Sequence, residues 1–186
     1  MNVQPNLRMS KAAFIEWSAA AEERYELVGG RVVMMARPAR AHAMIVMNLA
    51  FLLRTRLDAK QWVVIAEFGL DTGPETLRYP DIVVDRVGGT GKSYTAIAPV
   101  FLAEVLSPSS IETDLGDKAA EYLKTPSLVA YIVLSQDEPK AWVYARSGGE
   151  FTLGPAVIAG TEAFIEIPAL QLKLPMADIY AGIATN

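Results

Sequence analysis

The stretch Val100-Phe101-Leu102-Ala103-Glu104-Val105-Leu106 decides how this chain is interpreted, because every residue in it except Glu104 is apolar. A nearly continuous apolar run of this length is typical of a central β-strand that is covered on both faces of a sheet. Burying a lone carboxylate costs several kcal/mol or raises its pKa until it is neutral. Glu104 therefore indicates a bound cation, an arginine partner or a solvated strand face.

Helices and strands are predicted on both sides of this strand, without a repeat or a long linker between them. The N-terminal part predicts a helix over 12–22 capped by Ser10, a hairpin closed by Gly29-Gly30, and a long helix from Arg40 to about Ala59 that is buried on much of its circumference. Further strands are predicted over 62–66, 82–84, 129–134, 141–144, 164–167 and 170–174, with helices over 114–124 and from Met176. We predict one domain over residues 1–186, of the α/β (α+β) class.

Composition excludes several kinds of chemistry. The chain has 186 residues, no Cys and one His, so thiolate zinc sites, disulfides, cysteine nucleophiles and metal sites with two His ligands are impossible. A metal here must be held by oxygen. The segment 88–93 ends in Gly-Lys-Ser, but Arg86 stands where a phosphate loop needs its first Gly. No apolar run reaches about 18 residues, so we expect a cytoplasmic protein without a membrane segment.

Charge is unevenly distributed along the chain. The 17 basic and 21 acidic residues give a net charge of −4, yet the segment 27–62 contains six basic side chains and one acidic one. A basic segment inside an acidic protein is what a phosphate-contacting surface beside a carboxylate-rich metal site would show. The other interpretation is a solvated helix flank, and charge alone does not separate the two.

Asp81 is the second acid at an unusual position, between Pro80 and the apolar run 82–84 at the start of a predicted strand. By itself a Pro-Asp pair at a strand start is common turn chemistry. Combined with Glu104 it has another meaning, because two carboxylates from neighbouring strands are a usual means of holding Mg²⁺, which prefers oxygen ligands and keeps several waters.

Lys118 is placed on the apolar side of its predicted helix. Leu115, Lys118, Ala119 and Tyr122 have the spacing i, i+3, i+4, i+7, which is one helical face. An inward Lys can extend past the apolar face to solvent or pair with Asp114 at i−4. Alternatively its ammonium reaches the carboxylates, where it can orient a water and stabilise charge on a phosphate.

His42 and Glu26 are weaker candidates. His42 shares the inward stripe of the long helix with Ile45 and Leu49, which favours a hydrogen-bonded core histidine over a functional one. Glu26 lies within the strand 25–28, where alternation could equally leave it in solvent.

The candidate residues lie within a series of short motifs that resembles a known family. In chain order these are Tyr25-Glu26-Leu27-Val28-Gly29-Gly30-Arg31-Val32, His42 with Ile45, Tyr79-Pro80-Asp81-Ile82, Glu104-Val105-Leu106-Ser107-Pro108-Ser109, Asp114-Leu115-Gly116-Asp117-Lys118 with Tyr122, and Asp178-Ile179-Tyr180. The series resembles the Uma-type restriction endonucleases, long catalogued as a domain of unknown function within the PD-(D/E)XK nuclease superfamily. Each motif is weak, but their order from about residue 10 to 180 is specific.

The resemblance implies a restriction-endonuclease-like fold, in which helices flank a central mixed β-sheet. It implies Asp81 and Glu104 as Mg²⁺ ligands, with the carbonyl of Val105 as a third. The Lys that the superfamily carries two residues after the Glu is replaced by Leu106, and Lys118 resembles a relocated substitute. Glu26 resembles an additional acid of the metal site in some members, and His42 would approach the scissile phosphate.

Two functions are consistent with this sequence. The first is a Mg²⁺- or Mn²⁺-dependent nuclease that hydrolyses DNA phosphodiesters with a metal-activated water, for which a homodimer would suit cleavage of both strands. The second is a catalytically weak or inactive nuclease fold that serves as a nucleic-acid-binding or protein-interaction module. The displaced Lys and the net negative charge favour the second interpretation slightly.

Overall fold

The computed structural model describes residues 7–106 and 113–183. The predicted motif residues Ser107, Pro108 and Ser109, and both ends of the predicted 1–186 domain, lie outside the described residues. The fold is of the α+β class, with a central mixed sheet flanked by few helices, as predicted. Within the described residues, no helix has the length and hydropathy that crossing a membrane would require.

The helices are short except for one. They are α1 (Lys11–Ser18), α2 (Arg40–Arg56), α3 (Ala119–Tyr122) and α4 (Met176–Ile179), with a π-helical turn (Thr113–Lys118) leading into α3 and a 3₁₀ turn (Pro168–Leu170) before the last strand. The strands are β1 (Tyr25–Val28), β2 (Arg31–Met34), β3 (Trp62–Ala66), β4 (Leu70–Gly73), β5 (Thr76–Arg78), β6 (Ile82–Arg86), β7 (Phe101–Leu106), β8 (Ala130–Ser135), β9 (Lys140–Ser147), β10 (Glu150–Phe151), β11 (Ala156–Ala159), β12 (Phe164–Ile167) and β13 (Leu172–Pro175).

The central sheet has the order β10-β9-β8-β7-β6-β3, with β11 also paired to β9. β7 and β8 run parallel, whereas β6 and β3 continue the sheet antiparallel. A parallel pair needs a crossover connection, and here the crossover carries the π-helical turn and α3 across one face of the sheet. All six residues of β7 are buried, which confirms the prediction of a central strand.

Alternation along β6 and β7 divides the core into two layers. Ile82, Val84, Phe101 and Ala103 belong to a cluster that packs against α2. Val83 and Leu102, one residue along each strand, belong to the cluster under α3. Glu104 follows Leu102 in the same alternation, so its side chain is directed to the α3 layer.

A second, four-stranded sheet has the order β2-β1-β5-β4, and α1 packs on it through the fully buried Phe14. The hydroxyl of Ser10 accepts a hydrogen bond of 3.3 Å from the Ala13 amide, which confirms the predicted cap. Gly29 and Gly30 both have positive φ, as a two-residue hairpin turn requires. The sequence predicted the hairpin of β1 and β2 but not β4 and β5, because these two strands are short and polar.

Two predictions about helices are wrong. The first helix ends at Ser18 rather than near residue 22, because the chain turns there toward β1. The long helix is not buried on much of its circumference, since Met47 and Phe51 are 69% and 66% exposed on its outer face. α2 packs against the core with one face, so the apolar residues on its opposite face stay exposed to solvent.

Candidate active site

The antiparallel pairing of β6 with β7 brings Asp81 and Glu104 together. Ile82 pairs with Ala103, so Asp81, one residue before the strand, stands at the level of Glu104. Both side chains are buried, Asp81 at 6% and Glu104 at 3% exposure. The two acids singled out by their positions in the sequence are thus neighbours at one end of the central sheet.

Both carboxylate oxygens of Asp81 have protein contacts. The backbone amide of Val105 donates to Oδ2 at 2.7 Å. Nε2 of His42 lies 3.1 Å from Oδ1. His42 sits in the first turn of α2, so the start of this long helix is directed at the acidic end of the sheet, and His42 has a polar partner there as well as its place on the inward stripe.

Two side chains of the connection between β7 and β8 form hydrogen bonds with Glu104 from the α3 side of the sheet. The Lys118 ammonium and the Tyr122 hydroxyl both donate to Oε1, each at 3.0 Å. Lys118 is the last residue of the π-helical turn and Tyr122 the last residue of α3, one helical turn later. Since both bonds fall on Oε1, Oε2 is the oxygen of Glu104 that these two contacts leave for another ligand.

Lys118 is turned inward, with its side chain at 10% exposure, and stands among three carboxylates. Its ammonium lies 3.0 Å from Glu104, 3.0 Å from Asp114 and 3.8 Å from Glu26. The pairing with Asp114 and the approach to Glu104, which were alternatives from sequence, occur together. They occur together because the π-helical turn (Thr113–Lys118), called the wide turn below, places the side chains of residues 114 and 118 on the same side.

The wide turn is fixed by the sheet beneath it. Tyr131 of β8 donates its hydroxyl to the Asp114 carbonyl at 2.9 Å, and Tyr144 of β9 reaches the Leu115 carbonyl at 3.4 Å. The two tyrosine rings are stacked, with centroids 5.8 Å apart. These two contacts to carbonyls of the π-helical turn attach it to β8 and β9.

Glu26 is buried, which decides the orientation that strand alternation left open. It accepts from the Tyr79 amide and from the Arg78 guanidinium, both at 3.1 Å. Arg78 is itself 3% exposed and also forms a two-bond fork on Glu121 of α3, at 2.6 and 2.9 Å. Arg78 therefore ties the small sheet to the helix that carries Tyr122.

Burial and neighbouring charge shift the pKa values in the cluster. Burial raises the pKa of Glu104 well above its ordinary value; Lys118 opposes this shift, and the charges of Asp81, Asp114 and Glu26 add to it. Burial alone lowers the pKa of Lys118, but the surrounding carboxylates outweigh burial and keep the ammonium charged. Burial also raises the pKa of Tyr122 well above 10, so its hydroxyl stays a neutral donor to Glu104.

Within residues 7–106 and 113–183, the cluster has more acids than bases. Glu26, Asp81, Glu104 and Asp114 are buried carboxylates, whereas Lys118 and Arg78 are the buried permanent cations that contact them. An excess of buried negative charge is costly unless another cation reduces it. The donors are oxygen atoms, which Mg²⁺ and Mn²⁺ prefer.

The donor set fits a hydrated ion better than a protein-enclosed one. Among the residues that the structure describes, no three His, Asp or Glu side chains are grouped so that they could hold one ion together. Mg²⁺ is commonly bound by one or two carboxylates and keeps several waters. Asp81 and Glu104 match that pattern, and the predicted third ligand, the Val105 carbonyl, stays a prediction.

Sequence reasoning missed several residues of the site. Arg78 ends a strand of three residues, which is too short for a periodicity to mark it as buried. Tyr122 was interpreted as part of an apolar stripe, and its hydroxyl gave no signal. Glu121 lies off that stripe and is half-buried only because Arg78 reaches it. All three depend on contacts between segments distant in sequence.

Comparison with known proteins gives three related results. Residues 12–177 match the model of the Uma2 family, which is described as "Putative restriction endonuclease". Two proteins of Synechocystis sp., both described as uncharacterized, are similar over much of the chain. The first is 24% identical over 97% of this chain and 95% of its own length, and the second is 26% identical over 69% and 75%.

A solved structure has the same fold. It is described as a putative nuclease belonging to DUF820 from Anabaena variabilis, and it superposes with a TM-score of 0.77 over 93% of this chain and 98% of its own. Sequence identity is 17%, so the likeness establishes the fold alone.

Proposed function

We propose that this chain, which belongs to the Uma2 family, is a Mg²⁺- or Mn²⁺-dependent nuclease that hydrolyses phosphodiester bonds in DNA. The observation that carries the proposal is the pairing of Asp81 with Glu104 across β6 and β7, with Lys118 in contact with Glu104. Two carboxylates that can hold a metal ion, with an amine beside one of them, can supply the chemistry of phosphodiester hydrolysis.

Asp81 and Glu104 would hold the metal, which when bound lowers the pKa of a water and neutralises charge on the phosphate. The rest of the work falls to this chain's own groups. The Val105 amide fixes Asp81, and the Tyr122 hydroxyl fixes Glu104. Lys118 supplies a permanent positive charge beside Glu104 that can orient the attacking water. Glu26 supports Lys118, and His42 is directed to Asp81.

Plasmid cleavage with and without Mg²⁺ or Mn²⁺ tests the proposal. Glu104→Gln and Asp81→Asn should each lower the cleavage rate at least about a hundredfold, since loss of a metal ligand costs at least as much as loss of its supporting residues. Glu166→Gln is a matched control, because this glutamate is exposed on β12 and pairs with Lys173 away from the cluster. Equal cleavage by wild type and both site variants would contradict the assignment.

The basic segment supports a nucleic acid as the substrate. Arg40 begins α2, two residues before His42, and its side chain is exposed. Arg54 is also exposed but lies fourteen residues further along α2, about 21 Å away at 1.5 Å per residue. Arg40→Ala should weaken duplex DNA binding and flatten its salt dependence more than Arg54→Ala does. Equal effects would mean that the substrate is not bound at the start of α2.

A catalytically weak module is the second candidate, favoured by one observation. Asp81 and Glu104 already have protein partners on at least one oxygen each, which would compete with an ion. Calorimetry with Mn²⁺ separates the two functions. Binding that Glu104→Gln abolishes supports the enzyme, and no binding to the wild type supports the module. Homodimer formation is a further prediction, which light scattering tests.

A further inference from the structure

A cleft of about 360 Å³ lies beside α1, outside the carboxylate cluster. Its walls come from the end of α1, the start of β1 and the loop that contains Tyr94, and three tyrosine side chains, Tyr25, Tyr79 and Tyr94, line it. The volume is within the range of about 300–1,000 Å³ that small-molecule sites occupy. The proposed phosphodiester hydrolysis gives this cleft no role.

The cleft and the cluster share the same backbone segments. Tyr25 precedes Glu26 in β1, and Tyr79 stands two residues before Asp81. Alternation along a strand directs Tyr25 and Glu26 to opposite faces of the small sheet. Two residues of extended chain span at most about 7 Å, so the part of the cleft lined by Tyr79 lies near the backbone of Asp81.

The Tyr94 loop is anchored, although the Tyr94 side chain is 62% exposed. The carbonyl of Tyr94 packs so closely on Gly69 that a Cβ there would lie 2.2 Å from it. The buried carboxylate of Asp85 accepts from the amides of Ile97 and Ala98, each at 2.7 Å. Because its backbone is fixed, the exposed Tyr94 ring is preorganised for contact with a ligand.

Glu67, on the opposite rim, holds an unusual backbone conformation. Its φ is 52°, a region that residues other than glycine rarely adopt. Its amide donates to the Asp81 carbonyl at 3.2 Å, and its side chain forms an ion pair with Arg24. Strained residues persist where surrounding contacts fix them, commonly at ligand sites. The backbone hydrogen bond from Glu67 thus links the rim of the cleft to Asp81, a proposed metal ligand.

The lining selects the kind of ligand. Arg24 pairs with Glu67 and Arg37 with Glu23 at the rim, so both guanidinium groups are already engaged by carboxylates rather than directed to a phosphate. Planar aromatic faces are instead suited to stacking on nucleobases. We infer that this cleft receives an unstacked base of the substrate strand, next to the bond that is cut. The inference rests on the proposed nuclease function and adds single-stranded or locally opened DNA as its substrate.

Fluorescence anisotropy with two labelled single strands tests the inference. One strand is oligothymidylate, and the other has the same length of abasic deoxyribose phosphate. In EDTA, where metal-dependent cleavage is absent, Tyr94→Ala should bind the base-containing strand about tenfold more weakly than wild type, as loss of one stacking ring predicts. It should bind the abasic strand as wild type does. Tyr94→Phe, which keeps the ring, should restore binding.

Phe51→Ala is the matched control, because Phe51 is an aromatic of similar exposure, 66%, on the outer face of α2. It should leave binding of both strands unchanged, and its melting temperature and that of Tyr94→Ala should match wild type. Unaltered binding by Tyr94→Ala, or an equal loss on both strands, would overturn the inference while leaving metal-dependent plasmid cleavage intact. A wild type that binds neither strand and cuts no plasmid would overturn the proposed function as well.

Discussion

The two faces of β6 and β7 differ sharply although they are made from the same ten or so residues. On the α2 face Ile82, Val84, Phe101 and Ala103 are fully buried apolar side chains. On the α3 face the alternate positions include Glu104, with Asp81 beside it. Both faces bury apolar side chains, Val83 and Leu102 among those on the α3 face, but the α3 face also buries charged groups, which costs stability.

The difference shows where stability and function are separated in this fold. Apolar contacts on the α2 face are interchangeable in kind, since they depend on volume and area. The contacts on the α3 face are specific pairs with individual distances, such as Lys118 with Glu104 at 3.0 Å. Substitutions on the α2 face should therefore change stability without changing metal affinity, whereas substitutions at the charged pairs should change both.

Arg78→Met should have the largest effect on stability. It removes the guanidinium that pairs with the buried Glu26 at 3.1 Å and leaves only the more distant Lys118 at 3.8 Å, and breaking a buried ion pair by removing one partner costs about 3–5 kcal/mol. Urea denaturation measures the loss. The double variant Arg78→Met with Glu26→Gln should recover at least half of it, because the orphaned charge is gone. No recovery would mean that Arg78 stabilises the fold by packing rather than by pairing.

Leu49→Ala should have the next largest effect, on the opposite face. Leu49 is fully buried in α2, and truncating a buried Leu costs about 2–5 kcal/mol through lost burial and the cavity left behind. The same urea denaturation measures it. Affinity for Mn²⁺, measured at a temperature where the variant is folded, should stay at the wild-type value. A change in that affinity would show that the two faces are not separable.

Glu104→Gln should have the smallest effect and the opposite sign. Burial raises the pKa of Glu104, so the folded state favours its protonated form. Its stabilising contribution is full below the ordinary pKa of 4.5 and is lost as pH rises toward the raised value. In EDTA at pH 7.5 the Gln variant should therefore be more stable than wild type, which a higher melting temperature would show.

Thermal melts of both proteins at pH 4.5, 6.0 and 7.5 check this sign, because their difference should grow with pH. Added Mn²⁺ should reverse the order by stabilising the wild type alone. Glu166→Gln provides the comparison, since its exposed carboxylate should leave the melting temperature unchanged. A Glu104→Gln variant that is less stable at every pH would indicate that Lys118 alone balances the charge.

Much of the central sheet and part of the site followed from sequence. Glu104 could be singled out because it interrupts an apolar strand pattern, Asp81 because it stands at the start of a neighbouring predicted strand and gains meaning beside Glu104, and Lys118 because it falls on an apolar helical stripe. These signals are local, and a buried charge contradicts its immediate neighbours in the sequence. The hairpin at Gly29-Gly30 was predicted from equally local information, because two successive glycines favour a two-residue turn.

What could not be predicted depends on long-range contacts. Arg78 is buried because Glu26, 52 positions earlier, and Glu121, 43 positions later, surround its guanidinium. The exposure of Met47 and Phe51 depends on which layers cover α2, which no helical pattern reveals. The wide turn before α3 is fixed by Tyr131 from the following strand, so a regular helix was the natural prediction.

The crossover between β7 and β8 has a consequence for the order of assembly. Glu26, Asp81 and Glu104 are synthesised before Lys118, and the ammonium reaches them only when the segment after β7 folds back across the sheet. Until then the acids can stay hydrated and ionised instead of being enclosed in a dry interior. Closing this single connection would complete the hydrophobic layer and the charge balance in one step, so a truncated chain ending before residue 118 would carry the acids without the amine.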